Sequence, residues 1–371
     1  MTHDIIVAGA GPAGCVAGFE LARQGYSVLV IEKKIFPRAK LCAGGLPRKI
    51  LRFVDVEKSD VVEDRIHRLE FSLRPDRRFI LRSEKPLIYT VRRDLFDDLL
   101  LRKAREQGCR VREGEAVCRI DLRRDRVTVG TGAGEYRGRV LVGADGVTGA
   151  VRRLAGFPSR RHLIATLQAD VPLDASLRRK FQGRIWIGFG WITPGYAWIF
   201  PRRDHLAVGM GAEAGGRRAV LMKKAFQRLL CRLGRRPRDV DVSSRPISIY
   251  GRRQPLVRGP VLLTGEAGGL VHPMTAEGIY YAMKSARLAA AAVHRYLSGR
   301  SPDLRSYQQV IDGGMGSFFA RSRHFSSLFY GLPRLSFSLF VNDNRYLRRY
   351  LGIEQDGRPG AFHDRLFEDV S

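Results

Sequence analysis

The chain has 371 residues, of which 44% are hydrophobic and 27% charged. That is enough apolar side chain for a large core and excludes a disulfide miniprotein or a low-complexity polymer. The formal net charge is +28, and 54 of the 65 basic residues are arginine. Such a field attracts nucleic acid, anionic lipid or acidic substrates alike. The bases are spread along the chain rather than blocked, so no specific nucleic-acid partner is expected.

The five cysteines, at 15, 42, 109, 118 and 231, are odd in number and scattered. They support no disulfide framework, zinc knuckle or iron–sulfur cluster, and no metal is expected. The opening MTHDIIVAGAG has no basic lead-in and no apolar h-region, which reads as a cytoplasmic, reduced protein. The longest uncharged internal run, Ile185 to Pro201, is broken by Gly188, Gly190, Pro194 and Gly195 and offers no transmembrane helix.

In chain order, DIIVA (4–8) predicts a buried strand, followed by a turn at Gly9, Gly11, Pro12, Ala13 and Gly14 and a helix to about Gln24, stopped by Gly25. SVLVIE predicts a second strand ending at Glu32, eighteen residues after Gly14, with Lys33 beside it. This is a dinucleotide-binding βαβ unit in its expected context. The glycines let backbone approach a pyrophosphate at a helix N-terminus, and the strand-end acid accepts from a ribose hydroxyl. Glu32 would repel a 2′-phosphate, so NAD or FAD fits and NADP does not.

A long loop, IFPRAKLCAGGLPRK (35–49), follows instead of a regular βα unit, and it hints at a flavin. Residues 89–104 predict a strand and then a helix opening at Arg93, a candidate partner of an FAD phosphate. Val117 joins the expected cofactor set. RVLVGADGVTGAVRRL (139–154) predicts a strand, Asp145 and Gly146, and a helix start. VLLTGEAGGLVHPMTAEGIYYAMKSARL (261–288) predicts a strand, Gly265 and Glu266, a glycine-rich turn and a long helix near Ala276, reached through Gly278 and Ile279. Strand-end acids beside glycines suit ribityl hydroxyls, and a helix N-terminus suits the negative edge of a reduced isoalloxazine.

Residues 157–255 hold strand-like runs HLIATLQADV, GRIWIGFGW, GYAWIFP and HLAVGMG, which predict a sheet. Tyr196, Trp198 and Phe200 alternate and so share one face, expected to be the pocket. VGMGAEAGGRRAV (208–220) contains a GxGxxA that offers a second nucleotide site, but no strand-end acid follows at the right distance. From Gly313 to Asn342 there is no acid, with seven aromatics and Arg321, Arg323 and Arg334. Two short helices split at Gly331 and Pro333 are predicted, as a lid over an apolar tunnel or as a membrane-interface segment.

Three segments, KLCAGGL (40–46), PGYAWIFP (194–201) and GEAGGLVHPMTAEGIYYAMKS (265–285), carry a resemblance. With the glycine fingerprint, the chain resembles the geranylgeranyl reductase family of FAD-dependent oxidoreductases, within the p-hydroxybenzoate hydroxylase-like flavin fold, from position 4 to about 295. The resemblance implies an α/β fold with a Rossmann-like FAD-binding domain (1–155 and 256–300), an inserted antiparallel substrate sheet (156–255, joined by strands from 65–90), and a helical C-terminal region (301–371). It places Cys42, Ala43 and Gly44 by the isoalloxazine, and Gly45, Tyr196, Trp198, Phe200 and Pro201 around a prenyl substrate. One departure is Glu266, where the family motif has aspartate; a carboxylate one methylene longer still accepts from ribityl hydroxyls.

The implied reaction is saturation of isolated C=C bonds in a polyprenyl lipid, quinone or pigment precursor, with an FAD-dependent aromatic or lipid monooxygenase as the alternative on the same fold. An unconjugated alkene needs a positioned acid in a dry site; Cys42 is the first candidate, His272 the second and Tyr196 the third. The expected partners are a prenyl lipid, an external electron donor (NAD(P)H or a ferredoxin-type protein) and an anionic membrane surface at its inner face.

Overall fold

A computed structural model describes residues 2–351, apart from 74, 75, 124, 125, 160, 343–346, 349 and 350. The chain divides into two compact units, each built from three stretches.

The first unit comprises Met1–Ala39, Asp94–His162 and Ser248–His324. Its centre is the strand Thr2–Ala8, which pairs in parallel with Val28–Glu32 on one side and with Gly134–Gly143 on the other. Arg110–Glu113 extends the sheet beyond the former, and Val261–Leu263 beyond the latter. Ile5, Ile6, Val7, Val30 and Ile31 are all fully buried. Strands apolar on both faces need cover on both, which is why they sit in a parallel sheet. The helices Pro12–Arg23 and Ile279–Leu297 pack together, tied by Arg287 to Glu20 at 2.9 Å and by Tyr26 to His294 at 3.0 Å. An antiparallel meander, Arg119–Leu122 and Val127–Thr131, hangs on the strand Gly134–Gly143.

The second unit comprises Lys40–Arg93, Leu163–Ile247 and the chain from Phe325 on. Its seven-stranded sheet runs in the order Val242–Ile249, His162–Pro172, His205–Glu213, Gly195–Pro201, Arg184–Phe189, Arg68–Leu73, Arg77–Arg82. Strand alternation sorts the side chains. Ala197, Ile199, Val208 and Met210 face the helix Gly216–Arg232 and meet its Met222, Phe226, Leu229 and Leu230 in one core. Trp186 and Trp191, both half-buried, pack against this core. A small sheet of Gly45–Pro47, Ile88–Val91 and Val62–Ile66 carries the cysteine loop. Toward the C-terminus, Phe329 and Phe337 pack on Phe189, with ring centroids 4.8 and 6.5 Å away.

The α/β class, the parallel and antiparallel sheets and the two C-terminal helices, Ser317–Gly331 and Pro333–Asn342, agree with expectation. Residues 40–64 group with the unit of the seven-stranded sheet, and 301–324 with the unit of the glycine turn. The long helix starts at Ile279 rather than near Ala276, because Ala276 has φ +51 and lies in a turn. The strand that carries the GxGxxA of residues 209–214 pairs antiparallel with both its neighbours, unlike the parallel strand that ends at Gly9. Residues 352–371 of the expected helical tail lie outside the described residues.

Leu230 is fully buried in the core between the seven-stranded sheet and the helix Gly216–Arg232. Leu230→Ala should lower the unfolding free energy by about 2–5 kcal/mol, read by urea denaturation; a change under about 1 kcal/mol would show that core to be loose.

Candidate functional site

Three backbone turns meet in the first unit, and each meeting depends on a missing side chain. Gly9 has φ +98, and a Cβ there would lie 2.6 Å from the carbonyl oxygen of Ala144, at the second turn. A Cβ on Gly14 would lie 1.8 Å from the Gly9 carbonyl oxygen, so the first helix can start only against bare backbone. Gly265, at φ +58, brings the third turn onto Ala13 of that helix. Arg152, its pKa lowered by burial to about 10, bonds the Ala267 carbonyl from the short helix of the second turn.

Polar groups point into this junction. Glu32 is buried and accepts from the amide N–H groups of Ala10 (2.8 Å) and Lys34 (3.0 Å), which fixes the carboxylate at the strand end. Asp145 accepts at one oxygen from the Val151 amide (2.9 Å), while its buried Oδ1 has no hydrogen-bond partner among the described residues. Burial raises the Asp145 pKa against the pull of its amide contacts. Gly146 sits beside Glu266, which accepts weakly from the Ser248 amide at 3.4 Å. Arg38, absent from the sequence reading, lies beside Gly11 and is 3.1 Å from the buried Asp97. An orphaned carboxylate oxygen, a glycine cradle with a cation beside it and the N-terminus of Ile279–Leu297 fit an extended dinucleotide with ribityl hydroxyls.

The second unit holds a cysteine in an arginine clamp. Arg202 is buried and bonds the carbonyl oxygens of Val91, Ala43 (2.8 Å) and Cys42 (3.4 Å). Arg245 bonds the Leu41 carbonyl at 3.1 Å. Gly44, at φ +68, admits the Arg202 guanidinium where a Cβ would be 2.3 Å from it. Burial alone would raise the Cys42 thiol pKa. The charge of Arg93 and its hydrogen bond to sulfur, the Gly44 amide at 3.3 Å and the charge of Arg245 outweigh that, and the pKa is lowered.

Tyr196, Trp198 and Phe200 do share the sheet face opposite the core, and each is half-buried while Ala197 and Ile199 between them are buried. Tyr196 and Trp198 oppose Gly211 and Gly209 on the neighbouring strand, so the sheet is bare there. The Trp198 indole lies flat over Gly209, where a Cβ would come within 2.2 Å of the ring. Its buried N–H has no partner among the described residues. Phe189 and Tyr196 rings are 6.0 Å apart, and Gly45 lies against Phe200. Burial pushes the Tyr196 hydroxyl well above the usual tyrosine range.

Gly9, Gly11, Pro12, Ala13, Gly14, Glu32, Asp145, Gly146, Gly265 and Glu266 thus come together at the three turns. Lys33 is exposed next to Glu32 and adds a favourable charge to Asp145. Gly278 and Ile279 open the long helix, and Val117 is half-buried in the segment before Arg119–Leu122. Arg93, expected to meet a phosphate, also engages the Cys42 thiol within the second unit. Pro201 alternates onto the side of Ala197 and Ile199, away from the aromatic face. His272 is a buried structural node. Its Nδ1 accepts from the Met274 and Thr275 amides at 3.3 and 3.2 Å, which leaves the proton on Nε2 facing Ser322 at 3.2 Å. Phe318 and Tyr281 enclose the ring. The arginines at 38, 202 and 245 escaped sequence reading because 54 arginines hide three.

Together these features describe a flavin-binding α/β protein with an attached aromatic sheet. Residues 2–309 match the FAD binding domain family. A digeranylgeranylglycerophospholipid reductase of Methanopyrus kandleri is 30% identical over 309 residues, 78% of this chain and 80% of that one. A geranylgeranyl bacteriochlorophyll reductase-like structure from Thermoplasma acidophilum superposes with a TM-score of 0.78 at 21% identity, covering 89% of this chain and 88% of that one. The flavin-dependent brominase Bmp2, as a triple mutant, reaches 0.75, also at 21%, over 98% of each chain; at such identities the likeness is one of fold. The chain belongs to the FAD binding domain family, as one of its geranylgeranyl reductase-like members, and is an FAD-dependent oxidoreductase.

Because Arg93 favours the thiolate, alkylation of Cys42 by iodoacetamide, followed peptide by peptide in a mass spectrometer, should fall off with decreasing pH at a midpoint below the ordinary thiol value. Arg93→Met should move that midpoint upward. Equal midpoints in the two proteins would show that the guanidinium does not set the charge of the sulfur.

Proposed function

We propose that the protein reduces isolated C=C bonds in the polyprenyl chain of a lipid, quinone or pigment precursor. The observation that carries this reading is the aromatic face of Tyr196, Trp198 and Phe200, with the Trp198 ring set against the glycine backbone at 209 and an arginine-held thiol in the same unit. A long hydrocarbon needs contact area without polar groups, and the rings of Tyr196, Trp198 and Phe200 on one sheet face supply it. The named relative from Methanopyrus supports a prenyl substrate.

Gly9, Gly11 and Gly14 would admit the pyrophosphate, Glu32 the adenosine ribose, and Asp145 and Glu266 the ribityl hydroxyls. When bound and reduced, FAD supplies a hydride. The remaining requirement falls on the chain itself: a proton must reach the second alkene carbon while water is kept out. Cys42 Sγ is the proposed donor, and the thiolate it leaves is stabilised by Arg93 and Arg245. Tyr196, held protonated by burial, orients the chain rather than feeding protons. His272 has its nitrogens committed to Met274, Thr275 and Ser322 and takes no part.

Anaerobic incubation of photoreduced protein with candidate prenyl lipids should add one H2 per double bond by mass spectrometry. Addition of an oxygen or halogen atom, only when oxygen or halide is present, would overturn the reading in favour of a monooxygenase or halogenase. Repeating the turnover with NAD(P)H and with reduced ferredoxin identifies the donor. Cys42→Ser should slow the reduction by about 10²-fold or more while flavin binding is retained; an unchanged rate would remove the thiol from the mechanism.

A further inference from the structure

The two C-terminal helices present an apolar stripe outward. Phe325, Leu328, Leu332, Leu335 and Leu339 are 40, 58, 53, 57 and 61% exposed, whereas exposed large apolar residues elsewhere among the described residues are isolated or paired. Their spacing of three, four, three and four residues is that of one helix face. The break at Gly331 and Pro333 does not scramble it. The Leu332 amide bonds the Leu328 carbonyl at 3.0 Å, and the Ser336 amide bonds the Leu332 carbonyl at 2.9 Å, so helical bonding carries across. The opposite side of the same segment is already used, with Phe329 and Phe337 buried on Phe189. The stripe is therefore a second apolar face, left over after the helices have packed.

Charge indicates what covers it. No acid occurs between Gly313 and Asn342. Arg334 is exposed among the leucines, and Arg77 reaches over to bond Ser338 Oγ at 2.6 Å and the Arg334 carbonyl at 3.3 Å. A groove at this point is lined by Leu73, Asp76, Arg77, Leu332, Arg334 and Leu335, with one acid against two guanidinium groups. Leucines to enter acyl chains, with arginines at their side to meet phosphates, make an interfacial surface. No helix among the described residues is long and apolar enough to cross a membrane. We infer that the outer face of Phe325–Leu339 docks on an anionic lipid bilayer, lying in its interface. This surface goes beyond the reading of the aromatic site and is tested apart from it, since lipid binding requires no turnover.

The test is co-sedimentation of the full-length, FAD-loaded protein with vesicles of phosphatidylglycerol and phosphatidylcholine in equal parts, and with phosphatidylcholine alone. The protein should sediment with the mixed vesicles and more weakly with the neutral ones. The pair Leu328→Glu/Leu335→Glu should lower partitioning about tenfold or more. Flavin absorbance, circular dichroism and reduction of a detergent-dispersed prenyl substrate should stay unchanged. A milder pair, Leu332→Ser/Leu339→Ser, should lower partitioning as well, which covers the case in which the glutamates disturb folding. Absence of vesicle binding, or equal partitioning by both variant pairs and the parent, would overturn the proposal. So would a concentration-dependent dimer that the variants abolish without any effect on vesicles, since the stripe would then join two copies of the chain.

Discussion

Close approach of bare backbone is the constraint on which the first unit rests. The strand Thr2–Ala8 ends at Gly9, whose neighbour across the turn is the Ala144 carbonyl, and the first helix begins where Gly14 touches Gly9. Any side chain at either position would occupy space already taken by backbone. With those contacts in place, Ala13 meets Gly265, and three turns from distant parts of the sequence share one locus. The Glu32 carboxylate follows from it, oriented by the Ala10 amide of the first turn, while Asp145 is held by the Val151 amide at the start of the short helix after it.

The second unit obeys a different rule, the two-residue alternation of its strands. One face pays for folding by packing on the helix Gly216–Arg232; the other is then free to be chemically specialised. Glycines at 209 and 211 remove side chains just where Trp198 and Tyr196 stand opposite. The cysteine loop is held by guanidinium groups on its carbonyl oxygens, and one of these, Arg245, joins Arg93 in setting the electrostatics at sulfur.

Much of this was legible in the sequence because local rules govern it. Gly9, Glu32 and Gly265 stand at strand ends and Gly14 in the first turn of the helix that follows, where spacing alone restricts what a residue can do, and Tyr196, Trp198 and Phe200 reveal their shared face by alternation. What was not legible has a common physical origin. Arg93 opens a helix, a position that suggests a phosphate ligand, while its thiol partner lies fifty-one residues earlier in the chain, which no local pattern reports. His272 follows the glycine-rich turn and precedes the long helix, a position that suggests catalysis; only the fold shows Ser322 and Phe318 around it. The outward leucines of the last helices were visible as apolar residues, but which side of each helix is buried is decided by Phe189, a residue of another element.

Cofactor binding at the three turns is the claim most directly open to measurement. Titration of folded, purified protein with FAD, followed by flavin absorbance and fluorescence, should reach one FAD per chain and give a protein with a bound-flavin spectrum. A well-folded chain that stays colourless and takes up no FAD at any concentration would contradict the account at its base.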